Sequence, residues 1–289
     1  MEISFLLIQL LNGIQYGLLL FLISSGLTII FGIMGVINLA HGSFYMIGAY
    51  IAFSLTKFFG TIFLAIPVGL VIMVIIGLLV EWLFISRLYK KDHLQQVLLT
   101  FGLILIFNEL QSILWGNDPH GVPIPQILAG SLRLTETLNY PIYRIFISVT
   151  CLVVAIAMYI LIQKTRLGQR IRAGSFDQEM IANLGINLRI LFAAVFSIGV
   201  TLAGLAGMIA APVESIYPGI GEQILIVSFV VVVIGGIGSI KGAFVGAIAI
   251  GLADVFGQVF LPDLASVVVY AVMAAVLLWK PAGLFGRNG

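Results

Sequence analysis

The sequence predicts an all-α, polytopic membrane helical bundle of eight or nine spans, with glycine-broken segments and a weak internal repeat. Three observations predict it. Of 289 residues, 61% are hydrophobic and only 9% charged, against roughly 25% charged in a soluble domain, so charge is too sparse to cover a water-facing surface. The apolar residues fall in runs close to the roughly 20 residues that cross about 30 Å of hydrocarbon as helix. The basic residues sit in short segments beside those runs, which marks topology; with a net charge of only +2, nothing points to nucleic acid.

In order, the runs are Phe5 to Ile30, Phe44 to Leu55, Ile62 to Ile85, Val97 to Leu114, Ile145 to Ile162, Leu191 to Ile209, Ile224 to Ile234, Phe244 to Val259 and Val267 to Trp279. The opening MEISFLLIQL has no basic leading region and no clear small-residue cleavage site, so it reads as a retained span. Met1 to Leu55 as one helix would be about 80 Å long, between two and three crossings. A nine-span count puts Met1 outside, and a re-entrant or broken segment changes that. Cys151, the single cysteine, lies in an apolar run, which excludes an intrachain disulfide and a cysteine metal cluster.

Arg87, Lys90 and Lys91 separate the third and fourth runs, and Lys164, Arg166, Arg170, Arg172 and Arg189 separate the fifth and sixth. Both segments are expected in the cytoplasm by the positive-inside rule. Alternation then puts Lys280 and Arg287 inside, with Asp118, Glu136, Glu214 and Glu222 outside. Asp118, Pro119, Gly121, Pro123 and Pro125 make the loop after the fourth run irregular, as a lid, a docking surface or a plain connection.

Two stretches break the helical pattern in similar language. In FGIMGVINLAHGSFYMIGAY, Gly32, Gly35, Ile37, Gly42 and Phe44 match Gly235, Gly238, Ile240, Gly242 and Phe244 of IGGIGSIKGAFVGA. Glycine-interrupted segments at corresponding places in two halves point to a substrate path; the competing reading is that small residues here only let helices pack closely. Asn38, His41 and Ser43 strengthen the first reading, because polar groups at membrane depth are costly without partners. For His41 alone, a helix-end histidine bonded to backbone is an equal alternative. Glu109 and Asp254 lie inside apolar runs and are candidates for the path, for contact with a substrate ammonium, or for structural bonds between spans. Glu81, nearer a span end, reads as the structural partner of Arg87.

GGIGSIKG is not a phosphate loop, because Ile240 precedes Lys241 where glycine belongs and Gly242 follows where serine or threonine belongs. With no HExxH or GxSxG either, the chain reads as no enzyme. Ser175 and Gln178 form a capping box ahead of a short helix that Gly185 ends. That helix, on a basic loop, suits docking on a cytoplasmic partner or lying on membrane lipid.

GLTIIFGIMGVINLAHGSFYMIGAY, RAGSFDQEMIANLGIN, SIGVTLAGLAGMIAAP, VVVVIGGIGSIKGAFVGA and KPAGLFGR, in that order along the chain, resemble the branched-chain amino acid ABC importer permeases. The resemblance implies a single permease domain over residues 1–289, with a cytoplasmic coupling loop at 163–190. It implies a second homologous permease subunit, two cytoplasmic ABC ATPases that hold ATP and Mg, and a periplasmic or surface amino-acid-binding protein. It further implies ATP-driven alternating access in a prokaryotic plasma membrane, with no cofactor or metal in this chain. Asn38, His41, Gly42, Ser43, Gly235, Gly236 and Gly238, with Glu109 and Asp254, fall to the translocation path. Arg172, Ala173, Asp177, Ala182, Gly185 and Asn187 fall to the segment that couples to the ATPase. Members specialised for urea and short amides leave that substrate class as the alternative, and a stand-alone channel or carrier is the competing class.

Overall fold

A computed structural model describes residues 3–89, 91–135 and 138–286; Met1, Lys90, Glu136 and Arg287 lie outside them. The nine apolar runs become nine helices: α1 (Ile3–Met34), α2 (His41–Phe59), α3 (Ile62–Leu83), α4 (His93–Trp115), α5 (Ile142–Lys164), α8 (Leu188–Ala210), α9 (Ile220–Gly235), α10 (Ile240–Phe260) and α11 (Ala265–Trp279). Short helices α6 (Arg166–Gly174) and α7 (Gln178–Asn183) occupy the basic loop between α5 and α8, and β1 (Ser131–Thr135) pairs antiparallel with β2 (Leu138–Pro141) ahead of α5. Among the described residues, seven helices are long and apolar enough to cross a membrane; α2 and the 16-residue α9 fall outside that set. The hairpin is absent from the sequence reading, because nine residues of strand carry too little alternation to stand out in a polar loop.

Helix ends follow local chemistry. Thr61 caps α3 by accepting from Phe63 N–H, Asn187 caps α8 by accepting from Arg189 and Ile190, and Ser239 caps α10 by accepting from Gly242. Each cap satisfies a backbone donor that would otherwise be orphaned.

The 32-residue α1 is about 48 Å long, and its most apolar stretch is 89% buried, against 22% for α4 and 6% for the last span. Together α1 and α8 form the centre, while α3, α4, α5 and α11 turn leucine, isoleucine and valine outward. Lipid offers no hydrophobic drive for helices to associate, so the interior is built by small residues that let backbones touch. Added Cβ atoms show how close the approach is: at Gly26 it would lie 2.7 Å from Gly199 O, and at Gly17 2.8 Å from Ala247 O.

The basic segments share one end of the bundle. Tyr89, beyond Arg87, stacks edge-on against Phe192 at the start of α8, ring centroids 4.8 Å apart. Gln178 Nε2 donates to Ile33 O at the end of α1 (2.8 Å), and Leu284 N–H in the tail donates to Ile234 O at the end of α9 (2.8 Å). Two local expectations are corrected here. Asp177, not Ser175, caps α7 by accepting from Met180 N–H, while Ser175 Oγ turns back to Arg172 O. The Glu81 carboxylate accepts from the Tyr89 hydroxyl and makes no ion pair with Arg87, which stays exposed.

Candidate functional site

Both glycine-broken segments are chain breaks between helices, and they meet. Gly35 (φ +64°) ends α1 and Gly238 (φ +79°) lies between α9 and α10; this left-handed conformation is accessible to glycine and strained for most other residues. A Cβ on Gly32 would lie 2.7 Å from Gly238 Cα, so the two halves touch where their sequences match. The second break runs over residues 236–239, the first over 35–40.

The longer first break turns back into the bundle. Ile37 N–H donates to Gln96 Oε1 (3.2 Å), Thr100 Oγ1 donates to Ile37 O (3.4 Å), and Asn38 Oδ1 accepts from Ala40 N–H (3.1 Å). His41 then lands against α1, its Nε2 donating to Ile23 O at 3.0 Å. Ile23 lies three turns before the end of α1, roughly 16 Å back along the helix. The Met1 to Leu55 ambiguity thus resolves into one long helix, a re-entrant break and a second helix that reaches the far end, where Trp115 Nε1 donates to Ser54 Oγ (2.7 Å). Asn38 and His41 are fully buried and Ser43 nearly so. Asn38 Nδ2 and His41 Nδ1, with the hydroxyls of Ser24 and Thr28, have no protein partner among the described residues. His41 thus starts α2 with a backbone partner, as a helix-end histidine does, but is fully buried and not at an interface.

Gly42, in the first turn of α2, abuts the first turn of α9: a Cβ there would strike Gly221 O and come within 2.8 Å of Leu225 Cβ. Gly235 and Gly236 sit at the opposite end of α9, where Gly235 O accepts from Phe285 N–H (3.1 Å). The tail is therefore fastened to the second break, a contact that sequence proximity gave no hint of.

Asp254 lies in a cavity of about 310 Å³ at the end away from the basic segments, between α1, α5, α8 and α10 and the loop after α8. Arg144 and Glu214 share it. Arg144 donates to Asn12 Oδ1 (2.8 Å), Tyr45 Oη donates to Glu214 Oε2 (2.6 Å), and Gln258 Nε2 donates to Asp254 Oδ2 (2.7 Å). Burial raises the Glu214 carboxyl above its ordinary pKa, while the Tyr45 hydrogen bond and the Arg144 charge pull it back. Glu109 is not part of this group. It lies on the exposed face of α4, next to Asn108, whose Nδ2 donates to Glu222 Oε1 (2.7 Å).

On the basic loop, Arg172 donates to Ile162 O, and Ala173 O accepts from Phe176 and Asp177 N–H at 3.1 Å each. Gly185 (φ +80°) closes α7, with Ile186 N–H donating back to Ile181 O (3.3 Å). Ile181 is fully buried, whereas Phe176 (69%), Met180 (50%) and Leu184 (71%) are exposed, and Ala182 lies exposed among them. The helix is held from below and exposes Met180 and Ala182 beside Glu179 and Asn183, with Phe176 and Leu184 exposed at its two ends.

The profile of the family described as "branched-chain amino acid transport system / permease component" matches residues 9–277. The high-affinity branched-chain amino acid transport system permease protein BraD of Pseudomonas aeruginosa is 33% identical over 99% of this chain and 97% of its own length. LivH of Escherichia coli is 29% identical, with 99% and 97% covered, and LivM of the same organism 25%, with 91% and 67% covered. No solved structure matches. A profile spanning nearly the whole chain, a relative above 30% identity at full coverage and a nine-helix membrane bundle agree, and the chain belongs to the branched-chain amino acid transport system permease family.

Proposed function

We propose that this chain is the membrane-spanning permease subunit of a binding-protein-dependent ABC importer and that it carries branched-chain amino acids by ATP-driven alternating access. The observation that carries the proposal is the pairing of this family membership with α7, a helix capped by Asp177, closed by Gly185 and seated on the end of α1 through Gln178. Apart from contact with lipid, a channel or secondary carrier gives no reason for a braced helix with exposed Met180 and Ala182 on its basic end. An ATPase partner needs one.

On this reading the basic end faces the cytoplasm, where two ATPase subunits engage α7, and the opposite end receives amino acid from a binding protein. The relatives' names include two permeases, LivH and LivM, which supports pairing with a second homologous permease. ATP and Mg belong to the ATPases. Movement of α7 would reach the path through the end of α1, whose break leads directly to Asn38, His41 and Gly42.

The test is uptake by the complete assembly in proteoliposomes, with leucine, isoleucine, valine, other amino acids and urea supplied with candidate binding proteins. The expected result is saturable uptake of leucine, isoleucine and valine. Uptake of urea with none of these would reassign the substrate within the same type of importer.

A further inference from the structure

The cavity around Asp254, at one end of the bundle, gathers charges of both signs. A guanidinium and two carboxylates line one space of about 310 Å³, yet none of the three forms an ion pair with another among the described residues. All three are half-buried; charges partly withdrawn from water gain from pairing, and a purely structural cluster would be expected to close into salt bridges. Each charge here is held instead by a neutral neighbour: Arg144 by Asn12, Glu214 by Tyr45 and Asp254 by Gln258. A guanidinium has five donors and a carboxylate about four lone-pair sites, so each group keeps capacity for another partner.

The remaining lining combines the polar side chains of Gln15 and Tyr16 with an aliphatic patch. Leu19, Ala210, Val213 and Val255 face the same space, and its volume is at the lower end for small-molecule pockets, roughly 300–1,000 Å³. Positive charge, negative charge and an aliphatic patch in one small, otherwise polar cavity complement a zwitterion with a short branched side chain. We infer that this cavity binds an amino acid within the permease itself, Arg144 taking its carboxylate and Asp254 with Glu214 its ammonium. The inference rests on the importer reading above and deepens it, because it places a recognition step in the membrane subunit in addition to the binding protein. It also supplies a mechanical link. Tyr45, which holds Glu214, is in the first turns of α2, directly after the glycine break and Gly42, so occupancy of the cavity bears on the helix that the break positions.

The experiment measures equilibrium binding to the permease and ATPase assembly in nanodiscs, with the binding protein withheld, using three probes of one shape. Leucine carries both charges, 4-methylpentanoate only the carboxylate, and 3-methylbutylamine only the ammonium. Arg144→Gln is expected to weaken leucine and 4-methylpentanoate by roughly ten- to a hundredfold, the value of a charged hydrogen bond, and to leave 3-methylbutylamine unchanged. Asp254→Asn is expected to do the reverse, weakening leucine and the amine and sparing the acid. Val255→Phe, which fills the cavity, should abolish binding of all three. This crossed pattern separates recognition from damage, since a misfolded variant loses all probes alike.

No leucine binding by the wild-type assembly, or equal losses for all three probes in both charge variants, would overturn the site. Uptake by the same wild-type assembly, once the binding protein is added, separates the two levels. Leucine uptake without the crossed pattern removes the site and leaves the importer intact, whereas no uptake of any amino acid removes the reading on which the site rests.

Discussion

At Gly42 the backbone of α2 lies so close to Gly221 and Leu225 of α9 that any side chain must push two helices apart. At Gly238 the obstacle is conformational, since φ is +79°. Gly42→Val and Gly238→Val are therefore expected to insert normally and lose uptake, the first by overpacking at a cost of about 1–3 kcal/mol, the second by a strained φ. Membrane abundance by immunoblot and leucine uptake in the same vesicles check this; normal uptake by both variants would show that neither contact matters to transport. These glycines were legible in the sequence as a repeated pattern, but which property each serves was not. One is a packing contact and the other a turn, and only the fold distinguishes them. Arg144, Glu214 and Asp254 were legible at most singly. They are 70 and 40 residues apart along the chain, by their numbers, and meet through helix packing that no local pattern encodes. Arg144 left one unused clue: it is an arginine at the start of an apolar run, away from every basic segment.

Among the elements, α7 separates two accounts of the basic loop. Ile181 anchors it and Phe176, Met180 and Leu184 face outward. If that face fits a groove on an ATPase, Ala182→Trp must clash there and uncouple transport; if it lies on headgroups, added aromatic surface is neutral or strengthens membrane attachment. We expect Ala182→Trp to reduce uptake sharply, with ATPase lost from pull-downs or hydrolysing futilely. Asp177→Ala, which removes the cap, should cost about 1 kcal/mol of local helix stability and reduce coupling more mildly. Unchanged uptake and ATPase retention in Ala182→Trp would assign the helix to lipid. The existence of this helix and its glycine stop could be read from sequence, because capping and termination are local chemistry. Its true cap could not, since Ser175 and Asp177 are both competent and the turn of Ala173 decides between them.

For the whole molecule, the nine apolar runs and nine of the helices, α1–α5 and α8–α11, correspond in order, because hydropathy in a bilayer is set by the solvent more than by neighbours. What composition does not carry is which helices are central. Mean hydropathy is as high in the outer α3 as in the buried α1; the small residues facing α8 and α10 make α1 the core. The break at Gly35 was legible as an interrupted pattern, but its turn back onto Gln96, Thr100 and Ile23 was not, because it rests on bonds to residues distant in sequence.

The claim that unites these scales is that this bundle moves its substrate only when ATPases drive it, having no phosphate loop of its own. The most direct measurement is leucine uptake into proteoliposomes holding permease subunits alone or with ATPases and binding protein, each with ATP or a non-hydrolysable analogue inside, and each with and without ionophores that dissipate an imposed ion gradient. The account predicts uptake only in the complete assembly with hydrolysable ATP, undiminished by ionophores. Gradient-driven uptake by the permease subunits alone would contradict it.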